Sequence, residues 1–362
     1  MNPAVAAIVE RVREAHASAR PLRIRGGGTK DFYGETPIGD VLDVRTLVGA
    51  ADHEPTELVV TAPAGMTLVE LEALLAAAGQ CLPFEPPRFG AASTVGGMVA
   101  AGLSGPSRAA AGSLRDHLLG VTLVGGTGEL MHFGGRVIKN VAGYDVSRLI
   151  AGSLGILGVI VEVSLKVLAR APAEATLRFD CKPGEALALL HGWGARPLPL
   201  DASAWWNGSL IVRLRGAGAA VAEAARVLGG EAIAASEAAP FWQSLRDHTD
   251  PFFVAADDAI VHQDATLWRL SLPQTAPLLA LAGDELIEWH GAQRWLATAL
   301  PAVQVREAAA AVGGHATAFR SRDRSIAAFA PLPPPLRAIH ERLKRSFDPK
   351  GILNPGRLYP GL

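Results

Sequence analysis

The sequence predicts an α+β fold that is divided into two domains. Its 362 residues are enough for two domains of ordinary size, each with a buried core. Apolar runs with the two-residue period of strands alternate with runs that have the period of helices. The composition also changes along the chain, because all seven tryptophans lie after residue 190. We therefore expect one domain over residues 1–170, a smaller α+β domain over residues 171–330, and a C-terminal segment over residues 331–362.

Local patterns place the elements of the first domain. Residues Pro3 to His16 have the amphipathic spacing of a helix. Thr67 and Glu70 have the spacing of a capping box, which opens a helix that ends at Gly79. The strands predicted in this domain are Leu22 to Arg25, Val41 to Val44, Leu58 to Thr61, Val121 to Val124, Glu129 to Phe133 and Val159 to Leu168.

The second domain combines strands with helices in alternation, which is typical of a small α+β unit. A proline-rich connector at 331–335 and a last helix at Leu336 to Phe347 follow it. The strands predicted are Thr176 to Phe179, Ser209 to Leu214, Leu267 to Leu272 and Leu286 to Trp289, with helices near Glu185 to Leu190 and Ala219 to Leu228.

Composition excludes several classes of protein. The net charge is −1, from 34 basic and 35 acidic side chains, so there is no electrostatic case for nucleic acid or an anionic membrane. No run of about 18 apolar residues occurs, so we expect no transmembrane helix. Two cysteines, Cys81 and Cys181, are too few for a disulfide framework, and a reducing cytoplasm is the simplest compartment. The histidines lack the spacing of metal ligands, so we expect no metal site.

Glycine clusters carry the chemical signal. Residues Arg25 to Lys30 place three consecutive glycines directly after a strand, where main-chain amides can converge on a phosphate group. The loop matches neither the P-loop pattern nor G-x-G-x-x-G, and a flexible surface turn is the alternative. If the loop binds phosphate, a Cβ at Gly27 is expected to occupy the approach path of that group. A second cluster, Val121 to Gly128, is interpreted as a hairpin, because a strand follows it.

Several weak motifs occur together in one order. They are R-G-G-G-T, P-F-E-P-P, S-T-V-G-G-M-V-A, G-S-L-R-D, K-N-V-A-G-Y-D, G-S-L-G-I-L-G-V-I and F-D-P-x-G-I-L-N-P-G-R. This order resembles the FAD-binding family of the vanillyl-alcohol oxidase and D-lactate dehydrogenase type. The likeness covers residues 20–170 and 345–357. Within that family, the long motif R-V-I-K-N-V-A-G-Y-D-V-S-R-L-I-A-G-S-L-G-I-L-G and the motif E-W-H-G-A-Q-R-W are most similar to the FAD-binding accessory subunits of bacterial glycolate oxidases.

The resemblance implies a two-subdomain FAD-binding fold of the PCMH type, a smaller cap domain, and a C-terminal segment that returns to the first domain. The FAD is expected to be non-covalent, because residues 28–32 contain no histidine, through which some relatives attach the flavin. The residues that the resemblance assigns to FAD are Arg25, Gly26, Gly27, Gly28, Thr29, Lys30, Ser93, Thr94, Gly96, Gly97, Gly112, Arg115, Asp116, Gly155, Gly158, Val159 and Asn354.

One departure from the family bears on catalysis. Catalytic relatives carry an H-x-G-D-G-N-x-H segment that helps to hold a metal, and this sequence lacks it. Oxidation of a 2-hydroxy acid needs a base for the hydroxyl proton and a cation for the carboxylate. His290 or His315 are the candidates for the base, and Arg269, Arg294 or Arg320 for the cation; a packed or solvated role is the alternative for each.

Three functions therefore remain open at this stage. The first is an FAD-binding subunit of a glycolate oxidase, in complex with a larger FAD-binding catalytic subunit and an iron–sulfur subunit, whose flavin relays electrons or is structural. The second is a stand-alone flavin dehydrogenase of another hydroxy acid or alcohol, and the third a scaffold with a degenerate flavin site. Lys139, Asn140, Tyr144 and Asp145 either tune the flavin or form a structural network.

Overall fold

The chain separates into two units in the computed structural model, which describes residues 2–136 and 144–362. The first unit comprises Met1–Leu103, Ser113–Ala169 and Pro331–Leu362, and the second comprises Ser104–Gly112 and Arg170–Ala330. The segment Ser104–Gly112 corrects the expectation that residues 1–170 form one continuous domain. It belongs to the second unit because the buried Ser107 hydroxyl is hydrogen-bonded there, at 3.0 Å from Asp201 and 2.7 Å from Arg213.

The described residues contain twelve α-helices and one 3₁₀ turn. The helices are α1 (Pro3–Ser18), α2 (Leu68–Ala77), α3 (Val95–Ala101), α4 (Arg108–Ala111), α5 (Leu114–His117), α6 (Ser147–Ile150), α7 (Pro183–Gly194), α8 (Gly218–Leu228), α9 (Ala235–Asp247), α10 (Pro251–His262), α11 (Ala302–Ala311) and α12 (Pro334–Phe347), and the 3₁₀ turn is Trp289–Gly291. In the described part of the chain, none of them combines the length and the apolar character that a bilayer-spanning helix needs.

Seventeen strands lie in the same described ranges. They are β1 (Leu22–Arg25), β2 (Asp40–Asp43), β3 (Asp52–Glu54), β4 (Val59–Pro63), β5 (Gln80–Cys81), β6 (Leu118–Val124), β7 (Leu130–Gly134), β8 (Val159–Lys166), β9 (Leu168–Ala169), β10 (Ala173–Asp180), β11 (Leu200–Trp206), β12 (Ser209–Gly216), β13 (Glu231–Ile233), β14 (Thr266–Ser271), β15 (Asp284–Glu288), β16 (Gln293–Thr298) and β17 (His315–Arg320).

The first unit is built on a five-stranded antiparallel sheet in the order β3-β4-β8-β6-β7. Two small sheets accompany it: β1 pairs with β2 in parallel, and β5 pairs with β9. Helix α2 begins at the capping box that the sequence predicts, since the Thr67 hydroxyl accepts the Glu70 amide and the Glu70 carboxylate accepts the Thr67 amide. The core joins apolar residues of α1, α2, α3 and the central strands.

The C-terminal segment packs into the first unit. Its strand-like residue Leu353 forms a parallel bridge with Leu22, at the start of β1. Ahead of it, Lys344 and Asp348 form a buried ion pair of 2.7 Å. The Lys344 ammonium also donates to the carbonyls of Ile156 and Leu353, both at 2.8 Å. These bonds hold residues 352–357 beside β1.

The second unit is built on an eight-stranded sheet in the order β13-β10-β12-β11-β15-β16-β14-β17. All its neighbouring strands are antiparallel. Two apolar clusters pack on it: one joins β10, β11 and β12 to α7 and α8, and the other joins β14 to α11. The sheet together with six of the described α-helices gives this unit its α+β character.

Candidate cofactor-binding site

An open cavity lies in the first unit where β1, α3 and the C-terminal segment meet. Its empty volume is about 730 Å³, which includes space that is open to solvent. It is lined by Ile24, Arg25, Gly26, Gly27, Gly28, Thr29, Lys30, Asp31, Val44, Ser93, Thr94, Gly96, Gly97, Ala100, Ala101, Leu154, Gly155, Gly158, Ile160, Asn354 and Arg357.

The glycine loop 26–30 presents main-chain donors at this cavity. Strand β1 ends at Arg25, and Gly28 turns the chain with a φ of 73°, which other residues rarely adopt. Among the described residues, the amides of Gly27, Gly28 and Thr29 have no hydrogen-bond acceptor. Main-chain donors that converge without an internal acceptor fit an anionic group such as a phosphate.

The glycines of the loop are required by contacts within the protein. A Cβ at Gly27 would overlap the Ala92 carbonyl oxygen, and a Cβ at Gly26 would overlap the Thr94 hydroxyl. Both added groups point at segment 92–94 of the cavity wall. This corrects the expectation that a Cβ at Gly27 occupies the approach path of the phosphate. The side-chain faces of these residues pack against their neighbours, which leaves the main chain to line the cavity.

Several basic side chains lie at the glycine loop. The carboxylate of Asp31 accepts from Arg23 at 2.7 Å and from Arg25 at 2.8 Å. The ammonium of Lys30 donates to Ser93 Oγ at 2.8 Å, which ties the loop to the segment before α3. Arg23, Arg25 and Lys30 thus place positive charge at the loop, which favours an anionic ligand.

Helix α3 contributes part of the cavity wall. Thr94 caps it, because its hydroxyl accepts the Gly97 amide at 3.2 Å. A Cβ at Gly96 would lie 2.8 Å from the Ala64 Cβ, so only a glycine lets the helix approach the end of β4 this closely. The short side chains of α3 therefore leave a shallow apolar surface beside the polar loop, as a flat ring system requires.

Asn354 joins three parts of the cavity wall. Its side-chain oxygen accepts the Ile24 amide at 2.7 Å, and its side-chain nitrogen donates to the Leu154 carbonyl at 2.6 Å. The residue has a φ of 41°, a left-handed conformation that asparagine tolerates. The side-chain amide of Asn354 is thus hydrogen-bonded to main-chain groups, and the residue also lines the cavity.

Most residues that the resemblance assigns to FAD meet at this cavity. Gly112, Arg115, Asp116 and Val159 do not line it. Gly112 belongs to the second unit, the Asp116 carboxylate caps its own helix through Ser113, and Val159 is fully buried in the core. The assigned residues that line the cavity are Arg25, Gly26, Gly27, Gly28, Thr29, Lys30, Ser93, Thr94, Gly96, Gly97, Gly155, Gly158 and Asn354.

Sequence reasoning missed Arg357, which lines the cavity and is buried. It stands in the motif F-D-P-x-G-I-L-N-P-G-R, but a single arginine after a turn has no local signal that separates it from a solvated side chain. The apolar lining was missed as well, since its residues read as ordinary core. It comprises Ile24, Val44, Ala100, Ala101, Leu154 and Ile160.

Two of the candidates for catalysis in the second unit are held by structural partners. Buried His290 has its Nδ1 3.0 Å from the Ser203 hydroxyl, and burial lowers the pKa of His290. Arg294 is fully buried and donates to the carbonyls of Ala276 and Pro277, both at 2.8 Å. His315 is exposed on β17. Two described cavities of this unit, around Leu300 and around Asn207, are lined by none of the three.

The remaining polar candidates do not meet at the cavity either. Tyr144 is 97% exposed, and Asp145 pairs with Arg148 at 2.9 Å. Lys139 and Asn140 lie outside the described residues. Arg269 and Arg320 are partly buried, and Arg320 donates to Asp257 at 3.1 Å. In the described ranges, no group of three His, Cys, Asp or Glu side chains is arranged to hold a metal.

Comparison with known proteins defines the class. The FAD binding domain family matches residues 4–134, which include the glycine loop and α3. A solved structure of alkyldihydroxyacetonephosphate synthase has the same fold, with a TM-score of 0.63 over 97% of this chain and 74% of that chain, at 16% identity. The chain is thus an FAD-binding protein of α+β fold, which confirms the predicted fold class and cofactor. The amides of the glycine loop that lack an acceptor, the basic side chains at the loop and the small residues of α3 all fit FAD.

The full length of the chain defines the family more closely. It is 44% identical to the glycolate oxidase subunit GlcE of Escherichia coli over 98% of this chain and 97% of that protein. The chain belongs to the glycolate oxidase subunit GlcE family, which confirms the resemblance inferred from the motifs. Similarity over less than half the chain extends to the glycolate oxidase subunit GlcD of Bacillus subtilis, 29% identical over 43% of this chain and 34% of that protein. A D-lactate dehydrogenase of Archaeoglobus fulgidus is 32% identical over 42% of this chain and 34% of that protein.

Proposed function

We propose that this chain is an FAD-binding subunit of a glycolate oxidase and that it does not oxidise the substrate on its own. The observation that carries the proposal is the cavity of the first unit, with its unpaired amides, in a chain that aligns end to end with a protein named as a glycolate oxidase subunit. Bound FAD supplies a group that takes up and releases electrons.

The FAD diphosphate is assigned to the glycine loop. The amides of Gly27, Gly28 and Thr29 would donate to the phosphate oxygens, and the cations beside the loop would offset their charge. The flavin ring is assigned to the apolar surface that α3 and Ile160 provide. Binding is non-covalent in this proposal, since the residues that line the cavity include no histidine, cysteine or tyrosine.

Two of the catalytic candidates, His290 and Arg294, argue against independent substrate oxidation. A base must be free to accept the hydroxyl proton, and a cation must be free to hold the carboxylate. His290 and Arg294 are instead buried and bonded to Ser203 and to main-chain carbonyls. We assign oxidation of the 2-hydroxy acid to a partner. The flavin of this chain then either relays electrons or stabilises the assembly.

The partners in this proposal are a larger FAD-binding catalytic subunit and an iron–sulfur subunit. The word subunit in the name of the E. coli relative supports an assembly of several chains. The partial similarity to a second glycolate oxidase subunit supports a partner of related fold. We place the complex in the cytoplasm, with any contact with the inner membrane made through the other subunits.

Purification of this chain alone and with its partners tests the proposal. We expect the isolated chain to bind one FAD that denaturation releases, and to show no turnover of glycolate or D-lactate with an artificial acceptor. The reconstituted complex is expected to oxidise glycolate. Turnover by the isolated chain would support a stand-alone dehydrogenase, and a colourless chain that takes up no FAD would support a scaffold; either result overturns the proposal.

A further inference from the structure

Arg357 has an arrangement that the proposed function does not explain. Its guanidinium donates to the carbonyl oxygens of Asp31 at 3.0 Å, of Lys30 at 3.4 Å and of Glu35. Lys30 is the last residue of the glycine loop, and Asp31 and Glu35 lie shortly after it. Arginine is suited to this role because its guanidinium presents five donors in a rigid plane. The side chain is buried.

The bonds of Arg357 set the orientation of successive peptide groups. In a trans peptide the carbonyl and the amide point in opposite directions. When Arg357 binds the Lys30 carbonyl, the Asp31 amide therefore points away from Arg357, and it donates to the Gly28 carbonyl at 3.1 Å. The Gly28 carbonyl is thereby fixed, and the amide of Thr29, in the same peptide group, points the opposite way. That amide is one of the three that have no acceptor among the described residues.

We infer that Arg357 is a positioning residue, which orients the Thr29 amide for the cofactor diphosphate through the peptide groups of residues 28–31. The inference rests on the assignment of the diphosphate to the glycine loop. Preorganised donors bind an anion more tightly than donors that must be ordered on binding, because the entropy of ordering has been lost beforehand. Arg357 thus acts on the affinity for FAD through the peptide groups of the loop.

The segment that carries Arg357 is held in place by other bonds. The Glu35 amide donates to the Arg357 carbonyl at 3.0 Å, and the Arg357 amide donates to the Asn354 carbonyl at 3.1 Å. Both are main-chain bonds that a change of side chain leaves intact. The variant Arg357→Met is therefore expected to keep the C-terminal segment docked and to lose the side-chain bonds to residues 30, 31 and 35.

The test compares Arg357→Met, Arg357→Lys and the control Arg345→Met, which alters an exposed arginine of α12. The apoprotein of each is titrated with FAD, and flavin fluorescence gives the dissociation constant. We expect a rise of about tenfold for Arg357→Met, which corresponds to ~1.4 kcal/mol. A smaller rise is expected for Arg357→Lys, whose ammonium can bond some of the carbonyls, and no change for Arg345→Met.

Hydrogen exchange of the apoproteins separates positioning from general destabilisation. In Arg357→Met, faster exchange is expected only in segment 26–35, with wild-type protection in the five-stranded sheet. Wild-type affinity for FAD in Arg357→Met, or loss of protection throughout the first unit, would overturn the inference. If Arg357→Met fails to fold, Arg357→Lys decides the matter by the same two measurements. Failure of the wild-type apoprotein to bind FAD would instead refute the proposed function itself.

Discussion

Lys344 and Asp348 form a buried ion pair 2.7 Å long, one turn apart at the end of α12. The carboxylate also accepts the amides of Ile352 and Leu353, and the ammonium donates to two carbonyls. Desolvation lowers the pKa of Lys344, and the Asp348 charge opposes that change. The pair therefore fixes the path of the chain from α12 into the cavity wall.

Loss of this ion pair is expected to destabilise the first unit. In Lys344→Met the Asp348 carboxylate stays buried without its cation, which typically costs about 3–5 kcal/mol. Urea unfolding, followed by far-ultraviolet circular dichroism, measures the change. Arg345→Met is the matched control, because it removes a cation from the exposed side of the same helix. Equal stability of both variants would mean that the pair does not hold the segment.

Gly27→Ala is expected to weaken FAD binding by distorting the protein. The new Cβ overlaps the Ala92 carbonyl, so the loop or segment 92–94 must shift, and overpacking of this kind costs about 1–3 kcal/mol. The apoprotein should therefore melt at a lower temperature even without FAD. Gly49→Ala is the control, since a Cβ there meets no atom within 4 Å. If the apoprotein keeps its melting temperature and only FAD is lost, the clash is with the cofactor instead.

His248 is expected to make the second unit less stable in mild acid. Burial, followed by the charges of Arg320 and Arg269, lowers the pKa of His248 well below its ordinary value of 6.5. The unfolded chain therefore binds a proton below about pH 6.5 that the folded chain does not accept. The contribution of His248 to stability is complete above that pH and declines as the pH falls toward the folded-state pKa.

The slope that one such group adds is at most about 1.4 kcal/mol per pH unit. Chemical denaturation between pH 7.5 and 5.5 measures it, and His248→Asn should reduce the slope. Asparagine suits the left-handed conformation at this position, where φ is 56°. The control His262→Asn alters an exposed histidine and should leave the slope unchanged. An identical slope in His248→Asn and the wild type would refute the assignment.

His315→Gln is expected to leave glycolate oxidation by the assembled complex within about twofold of the wild-type rate, since the proposal gives this chain no substrate base. His315 lies exposed on β17, so its replacement should also spare the fold. Steady-state kinetics with an artificial acceptor provide the measurement. A loss of a hundredfold or more in kcat would place the base on this chain and favour the stand-alone dehydrogenase.

Local signals in the sequence predicted the elements that depend on neighbours along the chain. The capping box at Thr67 and Glu70 is confirmed, because both partners lie within one helical turn. The strands β1 and β8 were likewise visible as apolar periodicity. The short segment Ser104–Gly112 gave no such signal, since its place depends on Asp201 and Arg213, about a hundred residues away.

At the candidate site, too, local sequence signals predicted only those features that depend on neighbouring residues. The glycine triplet marked the loop, but the reason for Gly27 is a contact with Ala92, which no local pattern reports. Histidine and arginine are residue types suited to catalysis. Only the structure shows that His290 and Arg294 are buried and hydrogen-bonded to Ser203 and to main-chain carbonyls. Arg357 was missed because its acceptor Asp31 lies 326 positions earlier.

The bond between Ile24 and Asn354 has a consequence for biosynthesis. The two residues are separated by 330 positions, and the whole second unit is translated between them. At about 5–20 residues per second, the ribosome needs tens of seconds to travel from one to the other. During that time the first unit of the nascent chain lacks the C-terminal segment that completes the cavity wall. We therefore expect FAD to bind at a late stage of maturation.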